Sequence, residues 1–219
     1  MNALIIFIKN PQIGKVKTRL AKTVGDDQAL AIYHHLLDIT RKNAIKLARN
    51  GISCYLYYSD YVDNRDKWSS DIFIKKVQQG ADLGARMLNA FAEVLATHDN
   101  ACIIGSDCPT ISVSILKKAF SVLENKNAVV GPSTDGGYYL LGLTKNTEGV
   151  SSQSPISNLQ SSIPHLQSLF DNMEWSVDTV LSETINRLER NQQSYFLLPA
   201  LTDIDEEKDW IAYCDKKNL

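Results

Sequence analysis

Four positively charged side chains follow the first apolar segment of the chain closely. They are Lys9, Lys15, Lys17 and Arg19, and Gly14 is the one glycine among them. A guanidinium can bind two phosphate oxygens at once, and lysine ammonium groups act as point charges beside it. A single glycine without a following Gly-Lys-Ser or Gly-Lys-Thr excludes the common P-loop. The segment is predicted to bind phosphate, and a solvated basic loop is the alternative.

Acidic residues occur at two further places where chemistry is expected. Asp107 comes three residues after the apolar segment 101–104, and Asp203 and Asp205 precede the last helical pattern. A carboxylate at the end of a buried strand can bind Mg²⁺ together with phosphate oxygens. Asp203 and Asp205 would lie on one side of an extended segment, so one of them could complete a site with Asp107. The alternatives are that Asp107 caps a turn and that the late acids favour a helix N-terminus.

A third candidate segment contains Asp135, Gly136, Gly137 and Tyr138. Adjacent glycines allow the backbone to approach a ligand, and Asp135 is suited to accept a proton or a sugar hydroxyl. A plain hairpin turn is the alternative, because Asp-Gly is a strong hairpin signal.

The segment 79–87 is predicted to be a loop that enters a helix. Gln79 and Gly80 are assigned to the nucleotide side, whereas Asp82 suits a helix cap. Cys108, next to Asp107, has no evident base nearby, so we expect a structural thiol rather than a nucleophile.

Apolar runs alternate with helical patterns along the chain, and this order predicts the elements that position these residues. Strands are predicted near residues 3–8, 52–58, 72–77, 101–105, 128–130, 138–143 and 195–198, and helices near 26–49, 83–96, 112–124, 177–190 and 206–216. Strands separated by helices indicate a largely parallel sheet covered on both faces. Ligands bind such sheets beyond the carboxyl ends of the strands, where the candidate residues fall.

Length and composition indicate one globular α/β domain. The chain has 219 residues, of which 44% are hydrophobic, and its net charge is −2. Residues 1–219 are predicted to form a single domain, with residues 144–174 as an irregular surface excursion or lid. The charge argues against nucleic-acid binding, and no apolar run is long enough to span a membrane. The four cysteines lack C-x-x-C spacing, which favours a reduced, cytoplasmic setting.

Taken together and in order, the motifs resemble one family. They are Lys9 followed by 14–20 (GKVKTRL), then 79–87 (QGADLGARM), 105–109 (GSDCP), 135–139 (DGGYY), 175–176 (WS) and 203–205 (DID). This set is similar to bacterial glycosyltransferase-A-like proteins, often described as arsenosugar-biosynthesis or radical-SAM-associated glycosyltransferases. The first loop is also similar to that of phospholactate guanylyltransferases.

The resemblance implies the three-layer α/β/α fold of nucleotide-diphospho-sugar transferases, with a mixed, mostly parallel sheet. It also implies that Asp107 and Asp205 hold Mg²⁺ or Mn²⁺. We therefore expect a metal-dependent glycosyltransferase that moves a sugar from a nucleotide-diphospho-sugar to a small acceptor. Asp135 would be the base, and Gly136, Gly137 and Tyr138 would line the acceptor side. A nucleotidyltransferase joining an NTP to a phosphorylated acceptor is the first alternative, and a non-catalytic nucleotide-binding protein is the second.

Overall fold

The computed structural model describes residues 1–145 and 166–217. Its strands are β1 (Asn2–Ile8), β2 (Ser53–Tyr58), β3 (Phe73–Val77), β4 (Asn100–Ile104), β5 (Ala128–Pro132), β6 (Tyr138–Thr144) and β7 (Tyr195–Leu197). Its helices are α1 (Thr18–Val24), α2 (Asp26–Ala48), α3 (Leu83–Leu95), α4 (Val113–Val122), α5 (Leu166–Phe170), α6 (Val180–Arg190) and α7 (Glu207–Lys217). Every predicted strand is present within two residues of its expected bounds.

The strands form one mixed sheet in the order β3-β2-β1-β4-β6-β5-β7. Strand β1 pairs in parallel with β2 and β4, and β2 pairs in parallel with β3. Strand β6 is inserted antiparallel between β4 and β5. The carboxyl ends of β1 to β4 therefore share one edge of the sheet, which the turn between β5 and β6 also reaches.

The sheet is buried on both faces, because alternate side chains of each central strand enter different apolar cores. Leu4 and Ile6 of β1 pack with residues of α2 and α4, whereas Ala3 and Ile5 pack with residues of α3, α5 and α6. A smaller cluster joins α1, α2 and α7. The predicted three-layer α/β/α architecture with a mixed, mostly parallel sheet is confirmed.

Helix α1 was not predicted, because its pattern is short and overlaps the basic segment. It spans 7 residues, of which Leu20 is buried, and packs beside α2. The predicted excursion at 144–174 falls largely on residues 146–165, which lie outside the described residues. Within its remaining part, α5 buries Leu166, Leu169 and Phe170 against α3. No helix in the described ranges combines the length and apolarity needed to cross a membrane.

Candidate active site

A two-part cleft lies at the carboxyl ends of the central strands. Its first lobe has a volume of about 510 Å³ and extends over the ends of β1, β3 and β4. Its second lobe, of about 550 Å³, extends from the start of α1 to the turn after β5 and the start of α6. Residues that line both lobes mark the junction between them: Lys9, Lys17, Leu83, Asp107, Tyr138 and Ser176.

Lys17 connects the basic loop to the acidic residues at this junction. Its backbone is left-handed, with φ of 49°, and it is the N-cap of α1. Its Nζ lies 2.9 Å from Asp107 Oδ1 and 3.6 Å from Asp205 Oδ1, and it donates to the carbonyl of Ile204 at 2.6 Å. The side chain is 4% exposed, so its charge is neutralised within the protein. Strained backbone of this kind is concentrated at functional sites.

A group of carboxylates surrounds this lysine. Asp203 accepts a hydrogen bond from Ser133 Oγ at 2.8 Å. Burial raises the pKa of Asp203 to about 6, and the negative charges of Asp107, Asp135 and Asp205 raise it further against the lowering effect of that hydrogen bond. The fold therefore places Asp107, Asp135 and Asp205 within electrostatic reach of Asp203.

The donor chemistry of this group fits a hard divalent cation. Mg²⁺ is usually bound by one or two carboxylates, waters and substrate phosphates rather than by a protein-only cage. Asp107 and Asp205 provide two half-exposed carboxylates, and each forms an ion pair with the Lys17 ammonium. In the two described ranges, no group of three His, Cys, Asp or Glu residues could hold a metal. The two carboxylates fit an ion whose remaining ligands are waters and substrate phosphates.

Asp203→Asn should stabilise the protein in a pH-dependent manner. An unfolded aspartate titrates near pH 4, whereas Asp203 titrates at about 6 in the folded protein. The folded state thus holds the proton more tightly, so wild-type stability falls as pH rises from about 4 to 6. Asparagine still accepts from Ser133 and removes this penalty. Urea unfolding should show equal stability near pH 4 and a gain of about 1 to 3 kcal/mol at pH 8.

The exposed Asp178→Asn variant is the control for that comparison, because its carboxylate lies in the second lobe and is not buried. A gain for Asp203→Asn that is the same at pH 4 and pH 8 would contradict the assignment of a raised pKa to Asp203.

The four cations of the basic loop occupy different environments. Lys9 lines both lobes, and Arg19 lines the second lobe with its guanidinium 3.6 Å from Asp205. Lys15 is exposed and lines neither lobe. The structure thus directs Lys9, Lys17 and Arg19, but not Lys15, toward the cleft.

Only part of the predicted acceptor segment lines the cleft. Asp135, Gly137 and Tyr138 line the second lobe, and Asp135 Oδ1 accepts from the Gly137 N–H at 3.0 Å. Gly136 has φ of 91°, and a Cβ there would lie 2.1 Å from the carbonyl oxygen of Asp178. Gly136 therefore allows close packing against the segment before α6 and does not line either lobe.

The two residues that the sequence assigns to the nucleotide side do not line the cleft, whereas two nearby residues do. Gln79 and Gly80 line neither lobe, whereas Gln78 and Arg86 line the first. A Cβ on Gly80 would lie 2.6 Å from the Arg86 backbone nitrogen, so this glycine permits the loop to pack against α3. Asp82 caps α3 as expected, accepting from the Ala85 N–H at 2.8 Å.

Four further residues line the cleft although no sequence pattern assigns them a role: Gln78, Arg86, Ser176 and Asp178. Arg86 could have been found from its place one helical turn after the Asp82 cap. Ser176 has a left-handed backbone, with φ of 65°, which its residue type does not signal.

All four cysteines are free thiols. Cys108 is buried, and burial raises the pKa of its thiol to about 12, which agrees with a structural role. The cytoplasmic setting stays a prediction.

Comparison with known proteins places these features in context. A family model described as an uncharacterized protein conserved in bacteria (DUF2064) matches residues 45–177. No curated protein matches the chain. Among solved structures, a protein of Desulfovibrio desulfuricans G20, provisionally described as a nucleotide-diphospho-sugar transferase, is similar at 28% identity and a TM-score of 0.77. That similarity covers 94% of this chain and 82% of the other.

More distant structures share the fold alone. The 4-diphosphocytidyl-2C-methyl-D-erythritol synthase of Anaerococcus prevotii is 10% identical with a TM-score of 0.53, covering 100% of this chain and 98% of the other. The inositol-1-phosphate CTP transferase of T. maritima is 15% identical with a TM-score of 0.54, covering 95% and 91%. The chain therefore has the nucleotide-diphospho-sugar transferase fold.

Proposed function

The chain belongs to the bacterial family DUF2064, and from its fold and cleft we propose that it is a metal-dependent transferase that uses a nucleotide-activated donor. The reaction proposed is transfer of a sugar from a nucleotide-diphospho-sugar to a small acceptor. The observation that carries this proposal is the Asp107–Lys17–Asp205 arrangement at the junction of two lobes. A donor and an acceptor need adjacent binding spaces, which the two lobes would provide. The three charged groups at the junction of the lobes would lie beside the donor diphosphate.

The first lobe is suited to the nucleotide. Its walls include the apolar side chains Phe7, Met87 and Ile103, which can contact a base, and Lys9 stands at its opening. Lys9 has no ion-pair partner in the described part of the chain, so its charge is available to a phosphate. Asp107 and Asp205 would hold Mg²⁺ or Mn²⁺, which would supply positive charge to the leaving diphosphate.

The second lobe is suited to an acceptor with hydroxyl groups. Asp135 keeps one carboxylate oxygen on the Gly137 N–H, which fixes the orientation of the carboxylate. The other oxygen remains available to take a proton from an acceptor hydroxyl. Asp135 contributes to the raised pKa of Asp203, whereas Asp178 does not. Of the two exposed acids in this lobe, Asp135 is therefore the better placed base.

Charge favours glycosyl transfer over nucleotidyl transfer. Asp135 and Asp178 form no ion pair in the described ranges, and both face the second lobe. A phosphorylated acceptor would meet two unneutralised carboxylates there, which costs binding energy. Nucleotidyl transfer is the second candidate, and it is supported by Arg19 at the same lobe and by the cytidylyltransferase neighbours with this fold.

A thermal-shift panel tests the proposal at the level of binding. Nucleoside diphosphates, triphosphates and nucleotide sugars would each be added with and without Mn²⁺. A ligand at a hundred times its Kd adds about 2.7 kcal/mol. For a chain of this length that is a rise in Tm of roughly 5 to 11 °C. We expect a metal-dependent rise for at least one nucleotide sugar. No shift with any nucleotide would contradict the proposal.

Arg19→Met should weaken binding of the phosphorylated donor far more than binding of the matching nucleoside, because the Arg19 guanidinium lies 3.6 Å from Asp205, which would hold the metal beside the donor diphosphate. A charge-assisted contact is worth about 1.5 to 3 kcal/mol, or roughly ten- to hundredfold in Kd. Lys15→Met is the matched control, because Lys15 lies in the same loop but lines neither lobe. Titration calorimetry with both variants measures the difference. Equal losses for Arg19→Met and Lys15→Met would mean that general charge, not placement, matters.

A further inference from the structure

We propose that Gln78 and Arg86 read the base of the bound nucleotide and select a base that carries a carbonyl group over adenine. The favoured class is guanine, cytosine or uracil. This inference rests on the proposed function, since it assigns the base to the first lobe of the cleft. Neither residue lies in the basic loop or in the acidic group, so its role can be tested separately.

The orientation of the Gln78 carboxamide is fixed by the sheet itself. Its Nε2 donates to the carbonyls of Ile8 and Tyr57, each at 3.1 Å, at the ends of β1 and β2. Its backbone N–H donates to Tyr58 O at 2.9 Å. Both amide hydrogens are therefore used, and Oε1 is left as a fixed acceptor. Since Gln78 lines the first lobe, the ligand group that contacts this oxygen must be a hydrogen-bond donor, and the N–H groups of a base are such donors.

Arg86 supplies the opposite kind of group in the same lobe. Its Nε donates to the Gly80 carbonyl at 3.2 Å, which ties the guanidinium to the loop that also contains Gln78. Its terminal nitrogens have no carboxylate or carbonyl partner in residues 1–145 and 166–217. A held guanidinium with free terminal N–H groups is a two-pronged donor.

The apolar surroundings make these polar groups selective. Leu83, Met87 and Ile103 line the same lobe, so water competes poorly for a base that is seated there. In such a site, a polar group left without a partner costs more than it would in water.

A fixed acceptor beside a two-pronged donor matches some bases better than others. Guanine presents N–H groups together with the acceptors O6 and N7. Cytosine presents an amino group beside N3 and O2, and uracil presents N3–H between two carbonyls. Adenine presents its amino group beside a single ring nitrogen on either edge and has no carbonyl. Only one of the two Arg86 donors would therefore find an acceptor on adenine. For this reason we expect adenine to bind more weakly than the other three bases.

Calorimetric titration of ADP, CDP, GDP and UDP in the presence of Mn²⁺ tests the selection. For the wild-type protein we expect the tightest of CDP, GDP and UDP to bind at least about tenfold better than ADP. Arg86→Met should reduce that ratio to roughly threefold or less, mainly by weakening the preferred nucleotide. Arg49→Met is the matched control, because Arg49 is exposed at the end of α2 and lines neither lobe.

The role of Gln78 needs a test that leaves its hydrogen bonds to β1 and β2 intact. Methylation of the base nitrogen that donates to Oε1, as in N3-methyl-UDP, N1-methyl-GDP or N4,N4-dimethyl-CDP, removes the donor and leaves the protein unchanged. We expect the methylated form of the preferred nucleotide to bind at least about tenfold more weakly. Gln78→Leu should bind the methylated and unmethylated forms alike, whereas Gln79→Leu, the neighbouring control, should still distinguish them.

The outcomes separate this inference from the proposed function. If ADP binds as tightly as the other three nucleotides, or if Arg86→Met leaves the ratio unchanged, the inference is overturned while the proposed function stands. If none of the four nucleotides binds, both are overturned.

Discussion

Asp135→Asn is expected to slow transfer to the acceptor by about 10²- to 10⁴-fold while donor binding changes little. That range is the usual contribution of a general base. Asparagine has nearly the same size and can still accept from the Gly137 N–H that holds Asp135. It cannot take the proton from an acceptor hydroxyl, so the loss falls on turnover rather than on binding. Initial rates under saturating donor, together with the donor Kd from calorimetry, measure the two effects separately.

Asp178→Asn is the matched control for this variant. It removes one exposed negative charge from the same lobe, yet Asp178 is not among the charges acting on Asp203 at the junction. We expect its effect on turnover to be tenfold or smaller. If Asp135→Asn also loses no more than tenfold, and pyrophosphate is the co-product, nucleotidyl transfer replaces glycosyl transfer. In that reaction the attacking phosphate is already ionised and needs no base.

Asp107→Ala is expected to reduce transfer by about a thousandfold or more and to abolish the dependence of nucleotide binding on Mn²⁺. A metal ion at a leaving phosphate contributes several kcal/mol of charge stabilisation, and each 1.36 kcal/mol is a factor of ten in rate. The fold should persist, because the Asp107 side chain is 48% exposed and Lys17 keeps its contacts with Asp205 and Ile204. Initial rates of transfer, calorimetry with and without Mn²⁺, and a thermal melt measure these expectations.

Asp178→Ala serves as the comparison for Asp107→Ala, since its carboxylate lines the cleft without contacting Lys17. An Asp107→Ala variant that binds the nucleotide with Mn²⁺ as tightly as wild type would show that Asp107 does not hold the metal. A variant that simply unfolds would be recognised from its melt, and Asp107→Asn would then be measured in its place.

Much of the fold could be predicted because its strands are short apolar runs between helical patterns. Strands β1 and β4 are buried on both faces, so their sequences are continuous apolar runs rather than alternating ones. The position of Asp107 at the end of β4 follows directly from that pattern. Helix α1 could not be predicted from the pattern, because its few apolar residues are interrupted by Lys22 and its first turn begins inside the basic loop.

The details of the site depend on contacts between distant segments, which local patterns do not contain. The neighbouring sequence does not indicate that Gln78, rather than Gln79, lines the cleft. The side chain of Gln78 is held by hydrogen bonds to the carbonyls of Ile8 and Tyr57, which are distant in sequence. The sequence predicts that Gly136 faces a ligand, but the backbone of Asp178 occupies the position that a Cβ on Gly136 would need. The ion pair between Lys17 and Asp107 likewise joins residues far apart in the chain.

The products of donor breakdown distinguish glycosyl transfer from nucleotidyl transfer. The wild-type protein would be incubated with Mn²⁺ and, in separate samples, with UDP-, GDP-, CDP- and ADP-sugars and with the matching nucleoside triphosphates, and phosphorus NMR would identify the products. We expect water to release a nucleoside diphosphate slowly from one of the nucleotide sugars in the wild-type protein, and we expect no release by Asp107→Ala. Release of a nucleoside monophosphate and a sugar phosphate, release of pyrophosphate from an NTP, or no turnover of a donor that binds, would contradict this expectation.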